Sequence, residues 1–402
     1  MRLLELLLIA GGLLGHVAIW STLANRLHGH VVSQKYIRTG QLLIYVMNVA
    51  LPLLSIVCYP AIIFEQQQSG LATAAFIYWV ACVLFAVRTV AAWWVQQGPG
   101  RTVTPRLISN HVKITDLQHG FGQPIARSAK AKLLASFPGN EIFQLAIHTK
   151  EICLQRLPTA LEGLTITHLS DLHISQHLDA AFYDSVFRYA NEFRSDFIFI
   201  TGDLVDGAQQ IDLTVRLLSQ LRAEHGIYYI LGNHEIREAP EDIEKLDRKL
   251  AEVGLIQLGG CWQNIEMKDE LMILAGNSLP WHGTAPDMNR CDMRDWQTDP
   301  FRILLSHSPD QVHWARTHRF DLMLAGHTHG GQVCFPWIGP VICPSRFGGK
   351  YAAGLFDLPP TLLHVTRGIS GMTPVRFRCR PELSQLVLRG PNGSDGDATL
   401  EV

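Results

Sequence analysis

The sequence predicts a layered α/β domain that follows an apolar, helical N-terminal region. Two observations support this fold class. Three long runs without charge stand in the first 90 residues, and short apolar runs alternate with amphipathic stretches from about residue 141 onward. Apolar runs of about 20 residues are typical of membrane-spanning helices. Alternation of strands and helices is typical of layered α/β proteins.

The three uncharged runs are candidate transmembrane helices, at residues 6–24, 41–64 and 70–87. They make residues 1–97 a predicted transmembrane region, in which Pro52 is expected to kink the second helix. An N-terminal run can also be a signal peptide, and all three runs could be buried helices of a soluble protein. The lack of a small-residue cleavage site and the clustering of the runs at one end favour spanning helices.

The distribution of charge predicts which way the chain faces. The first 113 residues carry eight basic residues and two acidic ones, in a chain whose net charge is −2. Most of these basic residues follow the first and third runs, and such residues are enriched on the cytoplasmic side. Eight scattered cysteines without a Cys-x-x-Cys spacing agree with a reducing compartment. We therefore expect a multi-pass protein of the inner or plasma membrane, with a cytoplasmic C-terminal half.

The rest of the chain divides into three predicted segments. Residues 98–140 are expected to be a linker, since glycine and proline end the third apolar run. Residues 141–390 are expected to form the α/β domain, and residues 391–402 a disordered tail. Strands are predicted at 163–169, 197–201, 227–231, 271–275, 302–305, 321–325, 362–366 and 383–388. Helices are predicted at 179–194, 211–223, 240–253 and 310–316.

Five of the predicted strands lead into residue types that bind metal ions. The motifs are Asp171-Leu172-His173, Gly202-Asp203-Leu204-Val205-Asp206, Gly232-Asn233-His234-Glu235, Ser306-His307 and Gly326-His327-Thr328-His329. Open α/β sheets bind ligands at the carboxyl ends of their strands. Oxygen and imidazole donors without cysteine suit divalent ions such as Mn, Fe or Zn. A single buried His is more often structural, but seven donors in five clusters predict two metal sites that share Asp203.

In this order, the motifs resemble those of the calcineurin-like metallophosphoesterases, over about residues 160–390. Ser170-Asp171-Leu172-His173, the run at 326–333 and Arg367-Gly368-Ile369 are similar to the bacterial membrane-anchored branch of that family. The resemblance implies a four-layer α/β/β/α sandwich of mixed sheets and a metal-dependent phosphoesterase. It implies a first ion held by Asp171, His173, Asp203 and His329. It implies a second ion held by Asp203, Asn233, His307 and His327.

The resemblance also implies catalytic roles for His234 and Asp206. His234 would face the substrate and protonate or stabilise the leaving oxygen, and Asp206 would orient His234 and favour its imidazolium form. Two ions, Mn with Fe or Zn as alternatives, would activate a water as hydroxide for attack on phosphorus. Asp206 is followed by Gly207-Ala208 instead of the Arg-Gly of the family's protein phosphatases, which argues against phosphoprotein substrates.

Together these inferences predict a membrane-anchored hydrolase of a phosphodiester or pyrophosphate bond. An active site beside a bilayer would meet lipid-linked phosphates at high effective concentration. Within the branch that the chain resembles, one known activity is hydrolysis of UDP-2,3-diacylglucosamine, so a lipid-linked substrate is the first expectation. A general phosphodiesterase or phosphatase on nucleotides or lipids, and a non-catalytic membrane receptor, are alternatives. Membrane lipid is an expected partner, whereas a charged fraction of 17% argues against nucleic acid.

Overall fold

The computed structural model describes residues 2–28, 34–64, 70–97, 104–118, 125–292, 299–336 and 338–391. The chain divides into two compact units. The helical unit comprises Met1–Thr102 together with the segment Pro336–Lys350. The α/β unit comprises Val103–Phe335 and Tyr351–Val402.

Three long helices make up most of the helical unit: α1 (Arg2–His28), α2 (Gln34–Phe64) and α3 (Gly70–Gln97). α1 and α3 pack closely, because a side chain at Gly15 would collide with the backbone of Cys82. Most of their large apolar side chains are exposed. This outward-facing apolar surface is the pattern expected of helices in lipid.

Within the described residues, two stretches are long and apolar enough to cross a membrane, Leu7–Leu27 and Thr73–Ala91. They lie in α1 and α3 and match the first and third predicted runs. In α2 the described apolar stretch is Thr39–Leu54, which is shorter. The remainder of the predicted run at 41–64 lies outside the described side chains, so a third span stays a prediction.

Two mixed β-sheets form the centre of the α/β unit. The strands of the chain, numbered in order, are β1 (Leu107–Asp116), β2 (Gln144–Cys153), β3 (Thr165–Leu169), β4 (Phe197–Thr201), β5 (Ile227–Ile230), β6 (Leu255–Gln257), β7 (Trp262–Met267), β8 (Glu270–Asn277), β9 (Phe301–Ser306), β10 (Leu322–Ala325), β11 (Cys334–Phe335), β12 (Gly339–Pro340), β13 (Gly354–Leu358), β14 (Thr361–Val365) and β15 (Glu382–Arg389). One sheet has the order β1-β2-β15-β3-β4-β5-β6, and the other has the order β13-β14-β10-β9-β8-β7.

Helices cover the outer faces of the two sheets. The shorter helices are α4 (Ala129–Ala135), α5 (Ala180–Glu192), α6 (Ile211–Leu218), α7 (Pro240–Glu252), α8 (Met288–Asp292) and α9 (Val312–Thr317). Apolar side chains of α5, α6 and α7 pack on the seven-stranded sheet, and α9 packs on β14.

Strand β4 shows how the sequence builds these layers. Alternate residues of a strand point to opposite faces of its sheet. Phe197 and Phe199 face the apolar core between the two sheets, whereas Ile198 and Ile200 face the core beneath the helices. The order of layers is helix, sheet, sheet and helix, which confirms the α/β/β/α fold.

All eight strands predicted from apolar runs are present close to their predicted positions. The strands β1, β2, β6, β7, β11, β12 and β13 were not predicted. β1 and α4 lie inside the segment 98–140 that we expected to be a linker. β1 is an edge strand with mostly exposed residues, so it lacks a continuous apolar run. Its antiparallel pairing with β2 makes it part of the seven-stranded sheet.

Candidate metal centre

The nine predicted site residues follow five strands: β3, β4 and β5 of one sheet, and β9 and β10 of the other. The pairs β3–β4, β4–β5 and β9–β10 are parallel. Parallel neighbours have their carboxyl ends at the same edge of a sheet, which is where open α/β sheets bind ligands. The fold therefore brings together residues that are up to 158 positions apart in the sequence.

The backbone at these strand ends is strained. Five of the predicted ligands have φ angles between 45° and 70°: Asp171, His173, Asp203, His327 and His329. Residues other than glycine rarely adopt this left-handed region, which costs roughly 1–3 kcal/mol for each residue. Gly232 relieves crowding nearby, because a Cβ at this position would collide with the carboxylate of Asp203. Strain of this kind is typical of functional sites.

The first cluster contains the four residues predicted to hold the first ion, Asp171, His173, Asp203 and His329. Their candidate ligand atoms lie within 4.8 Å of one another. His173 Nε2 is 3.3 Å from His329 Nε2 and 3.5 Å from Asp203 Oδ2. Asp171 Oδ1 is 3.4 Å from His329 Nε2. These atoms surround one point and offer two nitrogen and two carboxylate donors.

Hydrogen bonds on the far side of each ring orient the two histidines of this cluster. His173 Nδ1 donates to Asp206 Oδ1 at 3.1 Å, and His329 Nδ1 donates to the carbonyl oxygen of Ser370 at 3.1 Å. In the neutral ring, a proton on Nδ1 leaves a lone pair on Nε2. Both Nε2 lone pairs therefore point into the cluster, as metal-binding imidazoles require.

The second cluster shares Asp203 with the first and adds Asn233, His307 and His327. His307 Nε2 is 3.0 Å from Asn233 Oδ1, 3.2 Å from His327 Nδ1 and 3.3 Å from Asp203 Oδ2. His307 Nδ1 donates to the carbonyl oxygen of Thr201 at 2.6 Å, so that in the neutral ring Nε2 is an acceptor. Lone pairs from several side chains therefore face one another at about hydrogen-bond distance.

The donor set fits two divalent cations. Facing lone pairs and carboxylates repel one another in a buried site unless a positive charge lies among them. Asp203 is 1% exposed and belongs to both clusters, so it is placed to bridge two ions. Carboxylate, amide and imidazole donors without thiolate suit Mn, Fe or Zn.

The pKa values of two histidines show that the clusters favour positive charge. Burial opposes the charge on His173, but the carboxylates of Asp206, Asp203 and Asp171 outweigh it and raise the pKa of His173 to about 9. Burial likewise opposes the charge on His307, and Asp203 with Asp171 raises its pKa to about 9. Protons therefore compete with metal ions for these two histidines near neutral pH.

His234 and Asp206 stand next to the clusters. The backbone nitrogen of His234 donates to Asp203 Oδ1 at 2.8 Å, and its ring Nε2 lies 3.9 Å from Asp203 Oδ2. His234 Nδ1 forms a short hydrogen bond with Asp206, which also accepts from His173. One carboxylate thus orients both rings, and His234 Nε2 is left for a substrate.

Burial and the neighbouring carboxylates have opposite effects on the pKa of His234. Burial lowers the pKa of His234 below its ordinary value, because desolvation outweighs the attraction of Asp203 and Asp206. Burial also opposes ionisation of Asp206, but His173 and His234 hold the pKa of this carboxyl far below its usual range. Asp206 is therefore an anion that orients His234 and favours its imidazolium form, although burial has the larger effect on the pKa of this ring.

Glu235 is a supporting residue whose role the sequence analysis did not assign. Its Oε1 accepts hydrogen bonds from the backbone nitrogens of Leu204 and Val205 at 2.6 Å and 3.1 Å. Its Oε2 accepts from the nitrogen of Gly232 at 2.7 Å. The carboxylate therefore fastens the loop after β4 to the loop after β5. The sequence did contain a signal for this residue, because Glu235 is the last residue of the Gly-Asn-His-Glu motif.

Two further residues support the centre without a signal in the sequence. The buried guanidinium of Arg376 donates to the backbone oxygen of His329 at 2.9 Å and so holds the loop after β10. The ring of Trp281 lies 4.8 Å from that of His327 and 5.3 Å from that of His307. Trp281 therefore covers one side of the second cluster.

Comparisons with known proteins agree with this geometry. The family model described as calcineurin-like phosphoesterase matches residues 164–331, which contain all nine predicted site residues. The chain is 31% identical over 249 residues to the uncharacterized metallophosphoesterase YkuE of Bacillus subtilis, covering 59% of this chain and 82% of the relative.

Two other relatives differ in what their names describe. A transmembrane protein with metallophosphoesterase domain from Bos taurus is 29% identical over 263 residues, 61% of this chain and 57% of the relative. The UDP-2,3-diacylglucosamine pyrophosphatase LpxG of Chlamydia muridarum is 26% identical over 273 residues, 56% of this chain and 83% of the relative.

The chain belongs to the calcineurin-like metallophosphoesterase family. It is accordingly an enzyme, a hydrolase of phosphate esters from a family that uses divalent metal ions, and a purely non-catalytic receptor is no longer an alternative. The apolar helices α1 and α3, together with the transmembrane relative, indicate attachment to a membrane.

Proposed function

We propose that this protein is a membrane-anchored phosphoesterase with two divalent metal ions that cleaves a phosphodiester or pyrophosphate bond. The observation that carries the proposal is the pair of ligand clusters that share Asp203. Asp171, His173, Asp203 and His329 would hold one ion. Asp203, Asn233, His307 and His327 would hold the other. Mn is the ion we propose, with Fe or Zn as alternatives that the same donors accept.

The proposed chemistry divides between the ions and the side chains beside them. Two divalent ions held by these residues would polarise phosphoryl oxygens and would lower the pKa of a bound water to about 7. Asp206 holds His234 by its Nδ1, so that Nε2 faces the leaving oxygen. The lowered pKa of His234 makes its imidazolium a stronger acid, suited to giving its Nε2 proton to that oxygen.

A basic residue outside the clusters can contact the substrate phosphate. The exposed guanidinium of Arg237 places Nη1 3.2 Å from His234 Nδ1, beside the proposed acid. Arginine suits phosphate because its donors match phosphate oxygens in pairs. Arg237 thus supplies a cation near the site, although Asp206 is followed by Gly207-Ala208 in place of the phosphatase Arg-Gly.

We propose a lipid-linked substrate, with UDP-2,3-diacylglucosamine as the leading candidate. Attachment to a membrane favours a substrate that is itself in the membrane, because both are confined to the same surface. The relative named as a pyrophosphatase of this lipid supports the choice. A general phosphodiesterase acting on nucleotides or lipids is the second candidate.

We further propose three membrane spans and a cytoplasmic catalytic domain. This domain would extend from about residue 141 to residue 390, with strand β1 and helix α4 added at its N-terminal side. The basic residues that follow the first and third apolar runs support this orientation. Labelling of the exposed Cys261 with an impermeant maleimide tests it. Labelling is expected in inverted membrane vesicles and not in intact cells; labelling in intact cells would contradict a cytoplasmic domain.

The activity is tested with the detergent-purified full chain and Mn. UDP-2,3-diacylglucosamine and the chromogenic diester bis(p-nitrophenyl) phosphate are compared, each with and without EDTA. We expect EDTA-sensitive cleavage of both, with a higher kcat/KM for the lipid. Cleavage of the diester alone favours the general phosphodiesterase. Failure to cleave either substrate with Mn, Fe or Zn would contradict the proposed function.

A further inference from the structure

The segment Pro336–Lys350 leaves the α/β fold and belongs to the helical unit. It begins seven residues after His329 and ends at Lys350, after which the chain returns to the α/β unit. Seven residues can span at most about 25 Å. The chain that carries one proposed metal ligand therefore continues directly into a segment that packs with the membrane helices.

Asn25 of α1 fixes this segment with both ends of its side-chain amide. Its Nδ2 donates to the carbonyl oxygen of Val341 at 3.1 Å, and its Oδ1 accepts from the backbone nitrogen of Cys343 at 2.9 Å. Asn25 is buried, and a buried amide left without hydrogen bonds is destabilising. The two bonds therefore hold the segment to α1 at one defined point.

The position of Asn25 along α1 indicates how deep this contact lies in a membrane that the helix spans. Asn25 stands two residues before the end of the apolar stretch Leu7–Leu27, which has 21 residues. Such a stretch is about 31 Å long, close to the ~30 Å of a bilayer's hydrocarbon core. Asn25, and with it Val341 and Cys343, thus lies at the boundary between hydrocarbon and head groups.

The segment presents apolar side chains outward at this level. Ile338 and Ile342 are 53% and 52% exposed, whereas Cys343 and Ser345 beside them are fully buried. Two exposed basic residues, Arg346 and Lys350, follow in the same segment. Apolar side chains next to basic ones are typical of surfaces that enter the head-group region of an anionic bilayer.

We propose that Pro336–Lys350 is a membrane-contacting strap that inserts Ile338 and Ile342 into the bilayer. The strap contacts lipid, because it packs with helices that are apolar enough to cross the membrane. It is also fixed to α1 at the end of the apolar stretch of that helix. With the proposed function as its basis, the strap also has a role in substrate use. It lets a lipid-linked phosphate be cleaved while the acyl chains remain in the bilayer.

Photocrosslinking tests the contact directly. The full chain is reconstituted in nanodiscs that contain anionic lipid, with p-benzoylphenylalanine at position 342. A matched chain carries it at position 253, where Val253 is an exposed apolar residue of the α/β unit. We expect lipid adducts by mass spectrometry at 342 and not at 253. Absence of a lipid adduct at 342, or an adduct to a second copy of the chain instead, would overturn the strap.

Kinetics test the role of the strap in substrate use. The measured quantity is the ratio of turnover on the lipid-linked substrate in vesicles to turnover on the soluble diester. Ile342→Asp is expected to lower this ratio about tenfold, because membrane contact scales with the buried apolar area. Val253→Asp is expected to leave the ratio at the wild-type value. Equal ratios in the two variants would overturn the role.

The two hydrogen bonds from Asn25 to the strap are tested by substitution, with a matched control in the same unit. Asn25→Leu removes both bonds to the strap and is expected to lower the ratio. Asn48→Leu removes a side-chain bond that stays within α2, from Asn48 Nδ2 to the oxygen of Ile44 at 2.9 Å, and is expected to keep it. A wild-type chain that cleaves the diester but not the lipid would contradict the proposed substrate. In that case the presence or absence of a lipid adduct at position 342 still tests whether the strap contacts the membrane.

Discussion

The helical unit and the α/β unit distribute polarity in opposite ways. Large apolar side chains of the helices face outward, among them Leu84 and Val87, which are 65% and 63% exposed. Carboxylates and imidazoles of the α/β unit face inward, among them Asp171 and His307, both 0% exposed. An apolar exterior is stable in lipid, and buried carboxylates require cations. Each unit is therefore suited to a partner that is not protein, a bilayer for the helical unit and metal ions for the α/β unit.

The polar side chains between the helices of the helical unit form hydrogen bonds with one another. His16 of α1 bonds to the backbone oxygen of Asn48 in α2 at 3.2 Å and to the hydroxyl of Tyr78 in α3. Trp20 donates to the same hydroxyl at 3.1 Å. Polar side chains between apolar helices are stabilised when they pair with one another. These three bonds join described residues of the helical unit to one another.

Removing the shared carboxylate should have the largest effect. Asp203→Asn takes away the negative charge that both clusters use, so we expect loss of both ions and a fall in turnover of about 10³-fold or more. Metal content by mass spectrometry and diester hydrolysis check this. Asp212→Asn is the control, because Asp212 is an exposed partner of Lys249. Two ions retained in the Asp203 variant would refute a bridging role.

Removing the proposed acid should separate catalysis from metal binding. His234→Ala is expected to lower turnover by about 10²–10⁴-fold while two ions stay bound, since His234 is not a proposed ligand. Metal content and kcat are measured on the same preparation. His225→Ala, at an exposed position, is the control. Full activity in the His234 variant would contradict the proposed role of His234 as the acid.

A charge on the apolar exterior should disturb only the helical unit. Leu84→Arg is expected to weaken membrane insertion by about 3 kcal/mol, the cost of arginine near the centre of a span. Leu133→Arg in α4 is the matched control, because Leu84 and Leu133 are 65% and 64% exposed. Partition between membrane and soluble fractions is measured for both. Equal partition would show that the apolar face of α3 does not meet lipid.

Removing the orienting carboxylate should have a smaller effect than removing His234 itself. Asp206→Asn keeps a hydrogen-bonding side chain but loses the anion that fixes the Nδ1 protons of His173 and His234. Changes of this kind typically cost about 10–100-fold in metal affinity or activity. Turnover and Mn affinity are measured separately. A change in neither would show that the two rings are held by other contacts.

The sequence predicted the parts of the fold that are continuous and apolar. Buried strands such as β4 and β10 are unbroken apolar runs, and their metal-ligand residue types follow directly. β2 was missed because it carries a buried Lys150, whose charge is compensated by Glu382 at 2.6 Å on the neighbouring strand β15. Such a pair cannot be recognised before the strand order is known.

The candidate site was predictable in its residue types and less so in its support. Asp203 and His329 were identified because they belong to short motifs at strand ends. Arg376 was not, because its contact with the backbone of His329 depends on a chain reversal 47 residues later. The lowered pKa of His234 was also missed, since burial cannot be read from a motif.

A Mn titration of the metal-free full chain tests the central claim most directly. Calorimetry in buffers of different ionisation enthalpy counts both ions and released protons. We expect two ions per chain and about two protons at pH 7, because the pKa values of His173 and His307 are about 9 without metal. Since both rings are protonated below that value, affinity should rise with pH from 6 to about 9. A single ion per chain, or binding without proton release, would contradict two clusters joined at Asp203.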